Sequence, residues 1–165
     1  YTELARAEAG ASLLLRPGTR VPHPGGHPGG LQDVEPEGTF GVDDGLPLNG
    51  VESICQDRQG HLWLTTDGEG ICRYDGATAT TFTTADGLPD DRVRAVVEDR
   101  AGCIWYATAQ GPCCCDGKTW TTWTAADGIA AGAALALLVD RGGRLWCGTA
   151  QGLSCSDGQA WTTFG

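Results

Sequence analysis

The chain has 165 residues, enough for one domain with a real core, and a formal net charge of −10. That charge disfavours nucleic acid and anionic membrane surfaces, both of which select basic patches. No segment approaches the roughly 18 apolar residues of a membrane span, no signal peptide is visible, and a chain that starts at Tyr1 without any Met is expected to be a fragment or a processed form.

Three signatures recur in a fixed order along the chain. Asp44-Gly45-Leu46-Pro47 returns as Asp86-Gly87-Leu88-Pro89 and as Asp127-Gly128-Ile129-Ala130. Gly60-His61-Leu62-Trp63 returns as Gly102-Cys103-Ile104-Trp105 and Gly143-Arg144-Leu145-Trp146. Asp75-Gly76 returns as Asp116-Gly117 and Asp157-Gly158. The step from Trp63 to Trp105 is 42 residues and that from Trp105 to Trp146 is 41. A period of about 40–45 residues is that of β-propellers, with four short strands per blade.

The first segment, 1–39, is ambiguous. Each signature glycine lies nine residues after the start of an inner strand, at Val51, Val93 and Ala134, and Gly10 lies nine residues after Tyr1. In that register Leu4 matches Ile54, Val96 and Leu137, Ser12–Leu15 takes the place of the Trp strand, and Phe40 matches Phe82. The segment is then a degenerate first blade with an insert around His23–Gly30. The alternative is a linker, because Pro and Gly crowd residues 17–38.

Residues 40–165 are three repeats of 41–42 residues. In the first repeat, Thr65-Thr66-Asp67-Gly68-Glu69-Gly70 carries one residue more than its counterpart Ala107–Gly111 in the second. In the second repeat, Val93–Glu98 is a short apolar run that suits the innermost strand. Cys103–Ala107 carries the Trp, Pro112–Cys115 follows Gln110-Gly111, and Thr119–Thr124 follows an Asp-Gly turn. Asp-Gly supplies the positive φ that tight turns need. In the third repeat the Ala-rich Ala125–Leu138 tempts a helix, but its alignment makes Ala134–Val139 a strand. The chain ends on an outer strand at Trp161–Phe164. No stretch keeps a 3.6-residue apolar period, so the fold class is all-β: blades of four antiparallel strands in a single small or partial propeller, 1–165. Trp63, Trp105 and Trp146 are expected to pack between blades, as are Phe40, Phe82, Trp123 and Phe164. Four blades would close alone, associate with other copies, or belong to a longer array; an open array leaves blade faces uncovered.

The eight cysteines do not read as a disulfide framework. Cys72 and Cys113 are equivalent across blades, as are Cys114 and Cys155. Such positions lie near the ~10 Å of packed sheets, beyond the ~7 Å between Cα atoms that a disulfide tolerates. They are expected to be free thiols acting as small apolar residues; a bridge between neighbouring strands of one blade is the alternative in an oxidising compartment. No Cys-x-x-Cys pair or zinc-ligand spacing exists. His23 and His27 lie four apart, but Pro and Gly between them forbid the helix that would align them, so no metal site is expected. His61 is expected to be exposed in a turn.

The combination Asp86-Gly87-Leu88-Pro89-Asp90-Asp91-Arg92-Val93, then Glu98–Trp105, then Thr108, Gly111 and Asp116-Gly117, resembles the two-component regulator propeller repeat. The resemblance covers residues 40–165. It implies seven-bladed propellers, usually two in tandem, that form the periplasmic sensor part of hybrid histidine kinases, often ones that detect oligosaccharides. It therefore implies a bacterial source, a periplasmic or extracytoplasmic location and a sensing role. The chain departs from the pattern in places. Arg73-Tyr74 keeps the family's Arg-Tyr, whereas Cys114-Cys115 and Cys155-Ser156 do not, and Ile129-Ala130 replaces Leu-Pro. No transmembrane helix or kinase region is present to supply an output.

In a propeller the loops between blades and the loops joining second and third strands share one face. That face collects Asp44, Asn49, Asp67, Glu69, Asp86, Asp90, Asp91, Gln110, Asp127 and Gln151 as an acidic, amide-bearing rim. Asp44, Asp86 and Asp127 precede Gly in a repeating turn and are expected to brace it. The candidate ligand contacts are Asp67, Glu69, Gln110, Gln151, Asn49, Asp90 and Asp91; loop variation at the one-residue insertion favours Asp67 and Glu69. Asp57, Asp99 and Asp140 belong to the opposite face, as turn braces. No nucleophile-base constellation, metalloprotease motif or phosphate loop appears, so neither catalysis nor a cofactor is expected. The first reading is a sensor-type module for a small polar ligand or oligosaccharide. The alternative is a structural or protein-interaction scaffold that self-associates or docks further propeller blades. A propeller lyase or glycosidase ranks third.

Overall fold

The computed structural model describes Leu46, residues 50–116 and residues 118–164. The segment 1–39, and with it the choice between degenerate blade and linker, lies outside the described residues, as do Phe40, Asp44 and Asn49.

Three four-stranded antiparallel sheets follow one another along the chain. The first is β1 (Val51–Gln56), β2 (Leu62–Thr66), β3 (Ile71–Tyr74) and β4 (Ala79–Phe82). The second is β5 (Val93–Glu98), β6 (Ile104–Thr108), β7 (Gly111–Cys115) and β8 (Trp120–Thr122). The third is β9 (Ala134–Val139), β10 (Leu145–Thr149), β11 (Gly152–Ser156) and β12 (Trp161–Phe164). Strands pair in chain order within each sheet, as up-and-down propeller blades do. Within the Ala-rich stretch Ala125–Asp127 is a short 3-10 turn and Ala134–Val139 is strand β9, because its partner β10 and the neighbouring blade decide its conformation, not its intrinsic helix propensity.

Each inner strand carries the same irregularity. The register shifts between Val51 and Ser53, between Val93 and Ala95, and where Thr149 and Gly148 meet Ala134 and Ala136. The residue passed over is Glu52, Arg94 or Leu135, and each of these side chains is exposed. A bulge of this kind bends the strand and releases one side chain from the ladder.

Blades pack face to face. Ile71, Leu88, Val93, Val96, Tyr106 and Cys113 form a buried cluster between the first two blades, joined by Cys55, Trp63, Ile104 and Trp120. Ala107, Ala134 and Cys147 form the next, joined by Ala95, Leu137 and Trp161. Burying one such large apolar side chain stabilises by about 1.5–3 kcal/mol. Trp63 and Trp105 bridge blades as the sequence implies, whereas the ring contacts of Trp146, Phe82, Trp123 and Phe164 lie within their own blades. Trp63 lies 5.9 Å from Tyr106 of the next blade, and Trp105 lies 6.2 Å from Trp161. Each Trp also meets the last aromatic of its own blade: Phe82 at 6.1 Å, Trp123 at 4.5 Å and Phe164 at 5.9 Å.

An arginine staple repeats beside the aromatic contacts. Arg58 donates to the carbonyls of Asp99 at 2.6 Å and Arg100 at 2.8 Å in the following blade. Its backbone N–H donates to Glu98 Oε2 at 3.0 Å. Arg100, one repeat later, donates to the carbonyl of Arg141.

All eight cysteines are free thiols, and Cys72, Cys113, Cys147 and Cys155 are buried. Burial first, then neighbouring thiols, pushes Cys113 up to about 12; burial alone lifts Cys147 to about 11. These thiols are packing atoms, not nucleophiles.

Candidate functional site: the rim of inter-blade connections

The rim begins with a repeated clasp at the turn from second to third strand. Thr66 Oγ1 donates to the carbonyl of Gly70 at 3.0 Å and accepts the backbone N–H of Glu69 at 3.0 Å. Thr108 does the same with Gly111 at 2.7 Å and Gln110 at 3.3 Å. Thr149 Oγ1 also accepts the N–H of Gln151 at 3.2 Å, but its own hydrogen points to the carbonyl of Ala131 at 2.9 Å, with that of Gly152 farther off at 3.3 Å. Thr66 and Thr108 are fully buried, so their hydroxyls need these partners. The clasp closes the turn through backbone groups. It leaves the side chains of Gln110 and Gln151, both exposed, without a hydrogen bond among the described residues.

The connection between blades locks onto that turn. The carbonyl of Asp91 accepts the N–H groups of Gly68 at 3.2 Å and Gly70 at 2.8 Å. The carboxylate of Asp91 accepts from the backbone N–H of Thr84 at 2.7 Å and from its hydroxyl at 3.1 Å. Asp90 accepts the N–H of Arg92 at 2.8 Å. Asp67 forms an isolated bridge with Arg92 and stands 3.9 Å from its guanidinium, a loose pair that is 61% exposed on the acid side. Thus the turn and the connection do share one face. Asp90 and Asp91 use their carboxylates inside it, whereas the Asp67 carboxylate and the Gln110 and Gln151 amides are exposed. Glu69 is half-buried in the same turn. Asn49 lies outside the described residues.

The Asp-Gly residues of the connection are braces. Asp86 accepts the N–H of Thr83 at 2.9 Å and its hydroxyl at 3.4 Å, closing a short 3-10 turn over Thr84–Asp86. Asp127 does the same with Thr124 at 2.8 and 3.1 Å. This capping arrangement satisfies donors that a short helical turn otherwise leaves open. Between the second and third blades the face dips into a small cavity of about 200 Å³, lined by Gln110, Pro112, Trp123, Ile129 and the Ala131–Ala133 stretch.

The opposite face has a different chemistry. Asp57 Oδ1 accepts the backbone N–H of His61 at 2.9 Å, and Oδ2 accepts the Trp63 indole N–H at 2.9 Å. Asp99 and Asp140 hold Trp105 and Trp146 in the same way, at 2.7 and 2.9 Å. Burial alone would raise Asp57, but the hydrogen bonds from Trp63 and His61 outweigh it and hold the carboxyl below its ordinary range. The Trp146 indole, the Arg144 backbone and the Arg144 guanidinium hold Asp140 lower still.

His61 is not the exposed turn residue that sequence suggests. Its side chain is 18% exposed, its Nδ1 lies 3.0 Å from Asp57 Oδ2, and its Nε2 lies 3.1 Å from Arg73 Nη2. Because a guanidinium only donates, Nε2 accepts and Nδ1 carries the proton given to Asp57. Arg73 also lies over the Trp63 ring, 5.8 Å from its centre. These residues border a cleft of about 980 Å³ between the first two blades, with Tyr106, Lys118 and Trp120 on its far wall. Sequence reasoning missed this chain of contacts. The available signal was that His61 and Arg73 stand where the second blade has Cys103 and Cys114.

Among the described residues no group of three or more His, Cys, Asp or Glu side chains is placed to hold a metal ion. Among them also, no helix is long and apolar enough to cross a membrane.

Residues 45–68 and 87–110 match the family described as the two component regulator propeller. No curated protein matches the chain. One similar solved structure is the extracellular domain of a hybrid two-component system from B. thetaiotaomicron. It is 24% identical, with a TM-score of 0.61 over 69% of this chain and 16% of that one. The extracellular domain of a second such system from the same organism is 21% identical, with a TM-score of 0.59 over 70% of this chain and 18% of that one. Virginiamycin B lyase from Staphylococcus aureus is 15% identical, with a TM-score of 0.54 over 70% of this chain and 41% of that one. At these identities the likeness is one of fold, the β-propeller. The chain spans 16% and 18% of the length of the two sensor domains. Each matched segment runs from the glycine of Asp-Gly-Leu-Pro, through the Trp strand, into the clasped turn, and in those two segments the chain is similar to the two-component regulator propellers.

Proposed function

We propose that this chain is the blade array of a sensor-type propeller module that binds a small polar ligand, an oligosaccharide being the class that suits it, and that it works outside the cytoplasm. The observation that carries the reading is the repeated clasp. Thr66, Thr108 and Thr149 accept the backbone N–H groups of Glu69, Gln110 and Gln151, so the turns of the second and third blades hold their shape without the Gln110 and Gln151 side chains. Carboxylate and amide groups at equivalent points along one face offer both acceptors and donors, which is what sugar hydroxyls require. Asp67 adds an exposed carboxylate one blade along from Gln110. The extracellular origin of the two B. thetaiotaomicron neighbours supports the location and the sensing role. Binding rather than turnover is favoured because His61, the histidine among the described residues, is occupied on both ring nitrogens.

Thermal denaturation against a panel of neutral and acidic oligosaccharides tests this. A ligand should raise the midpoint of the natural chain. It should raise that of Gln110→Ala/Gln151→Ala less, while the unliganded midpoint stays the same. Stabilisation by no sugar, or stabilisation unaltered by the double variant, would count against the rim.

A further inference from the structure

The two connections between blades lean in opposite directions. The first, residues 88–92, leans back on the blade it leaves. Its Asp91 carbonyl accepts the N–H groups of Gly68 and Gly70 in the turn of the first blade, and Arg92 bridges to Asp67 there. The second, residues 129–133, leans forward on the blade it enters. The N–H of Ala130 donates to Ser154 Oγ at 2.8 Å, the carbonyl of Ala131 accepts the Thr149 hydroxyl at 2.9 Å, and the carbonyl of Ala133 accepts the N–H of Ala150 at 3.3 Å. No hydrogen bond among the described residues ties it back to the turn of the second blade, residues 109–111. The cause is local in the sequence. Ala131-Gly132-Ala133 stands where the first connection has Asp90-Asp91-Arg92, and the turn of the second blade is one residue shorter than that of the first.

What this leaves open between connection and turn is the cavity of about 200 Å³. Its lining, all within residues 109–133, holds no charged side chain. The apolar wall comes from Pro112, Trp123, Ile129, Ala131 and Ala133. The Thr124 hydroxyl is taken by Asp127 at 3.1 Å, whereas the Gln110 amide is exposed and has no hydrogen bond among the described residues.

Size and polarity together select the occupant. Pockets that bury a whole small-molecule ligand run to about 300–1,000 Å³, so this one takes a substituent rather than an entire sugar chain. A carboxylate or ammonium group would lose its water there and meet no opposite charge, which is costly. A hydroxyl would satisfy the amide but leave the apolar wall unmatched. An acetamido group meets both, with its methyl against the wall and its C=O and N–H facing the NH₂ and C=O of the Gln110 side chain.

We infer that this cavity is an acetamido subsite, so that the oligosaccharide bound at the rim carries N-acetylhexosamine units. The inference rests on the proposed rim reading for the sugar and on the cavity for its substituent.

Calorimetric titration with N,N′-diacetylchitobiose and with cellobiose tests it, because the two disaccharides share ring and linkage and differ in acetamido against hydroxyl at C2. The natural chain should bind diacetylchitobiose at least about tenfold more tightly, the scale on which a pocket distinguishes one small matched group. Ala131→Leu fills the cavity from an exposed position, and Gln110→Leu keeps the bulk of an exposed side chain while removing its amide. Each should bring the ratio of the two affinities down to about one, with the unliganded melting midpoint unchanged. Cellobiose bound as tightly as diacetylchitobiose, or a preference that survives both variants, would overturn the inference and leave the rim reading standing. Binding of neither disaccharide would overturn the inference as well, and the wider sugar panel would then decide the rim by itself.

Discussion

The indole nitrogen of Trp105 stands 2.7 Å from Oδ2 of Asp99, while the other oxygen of that carboxylate accepts the backbone N–H of Cys103 at 2.9 Å. One acidic side chain thus fixes both a turn and the orientation of the large aromatic that reaches the next blade. The same geometry at Trp63 and Trp146 makes it the basic joint of the array.

Replacing Asp99 with Ala removes both bonds and leaves the half-buried indole N–H without a partner. The expected loss is about 1–3 kcal/mol, read as a lower urea midpoint with an unchanged slope. Asp99→Asn should lose less, because an amide oxygen still accepts one of the two donors. A midpoint unmoved by Asp99→Ala would refute the joint.

Acid should weaken the array in a defined window. Asp57, Asp140, Asp75, Asp116 and Asp157 all have folded-state pKa values held below the ordinary carboxylate range. Trp146 leads for Asp140, and backbone N–H groups lead for Asp75, Asp116 and Asp157. In this window the unfolded chain binds more protons than the folded one. The stabilisation is therefore complete above the unfolded value of about 3.9 and is lost as pH falls through the lower folded values. Denaturant midpoints should be flat in this respect at neutral pH and should fall below about pH 4. A midpoint that rises on acidification would contradict the assignment.

Two glycines of positive φ should respond differently to alanine. Gly111 has φ +128°, and a Cβ there would lie 2.3 Å from the carbonyl oxygen of Trp123. Gly60 has φ +89° with open space around the same position. Gly60→Ala should cost about 1 kcal/mol, the conformational term alone. Gly111→Ala should cost at least about 2–3 kcal/mol, because backbone must also move. Equal midpoints for the two variants would show that the close approach is not maintained in solution.

Cys72, Cys113 and Cys147 are fully buried, and the burial raises all three thiols. Alkylation by iodoacetamide at neutral pH, followed by mass spectrometry, should spare these three in the folded chain and modify them in denaturant. Rapid modification under native conditions would mean that blades open on the timescale of the reaction.

Much of the fold was legible because it is local. Asp-Gly turns and the short apolar run Val93–Glu98 act over a few residues, and their recurrence at 41–42 residues aligned strands that single-strand propensity would miss, β9 above all. The rim was legible only in part. Its membership follows from topology, but Asp91 resembles Asp67 on paper while its carboxylate is consumed by Thr84. His61 and Arg73 could not be paired from sequence, since they meet across two strands and around a tryptophan.

The sequence by itself determined the period, the four-strand unit, the order from inner to outer strand and the acids that brace each turn, because each depends on neighbours close in the chain. Only the tertiary structure decided which repeated residues are interchangeable in burial. Ile71, Pro112 and Leu153 occupy one position in the repeat, yet the first two are buried and the third is 42% exposed, because burial belongs to the blade in front and not to the residue. The same reason gives Arg58 and Arg100 a carbonyl partner from the next blade and leaves the guanidinium of Arg141 without one among the described residues.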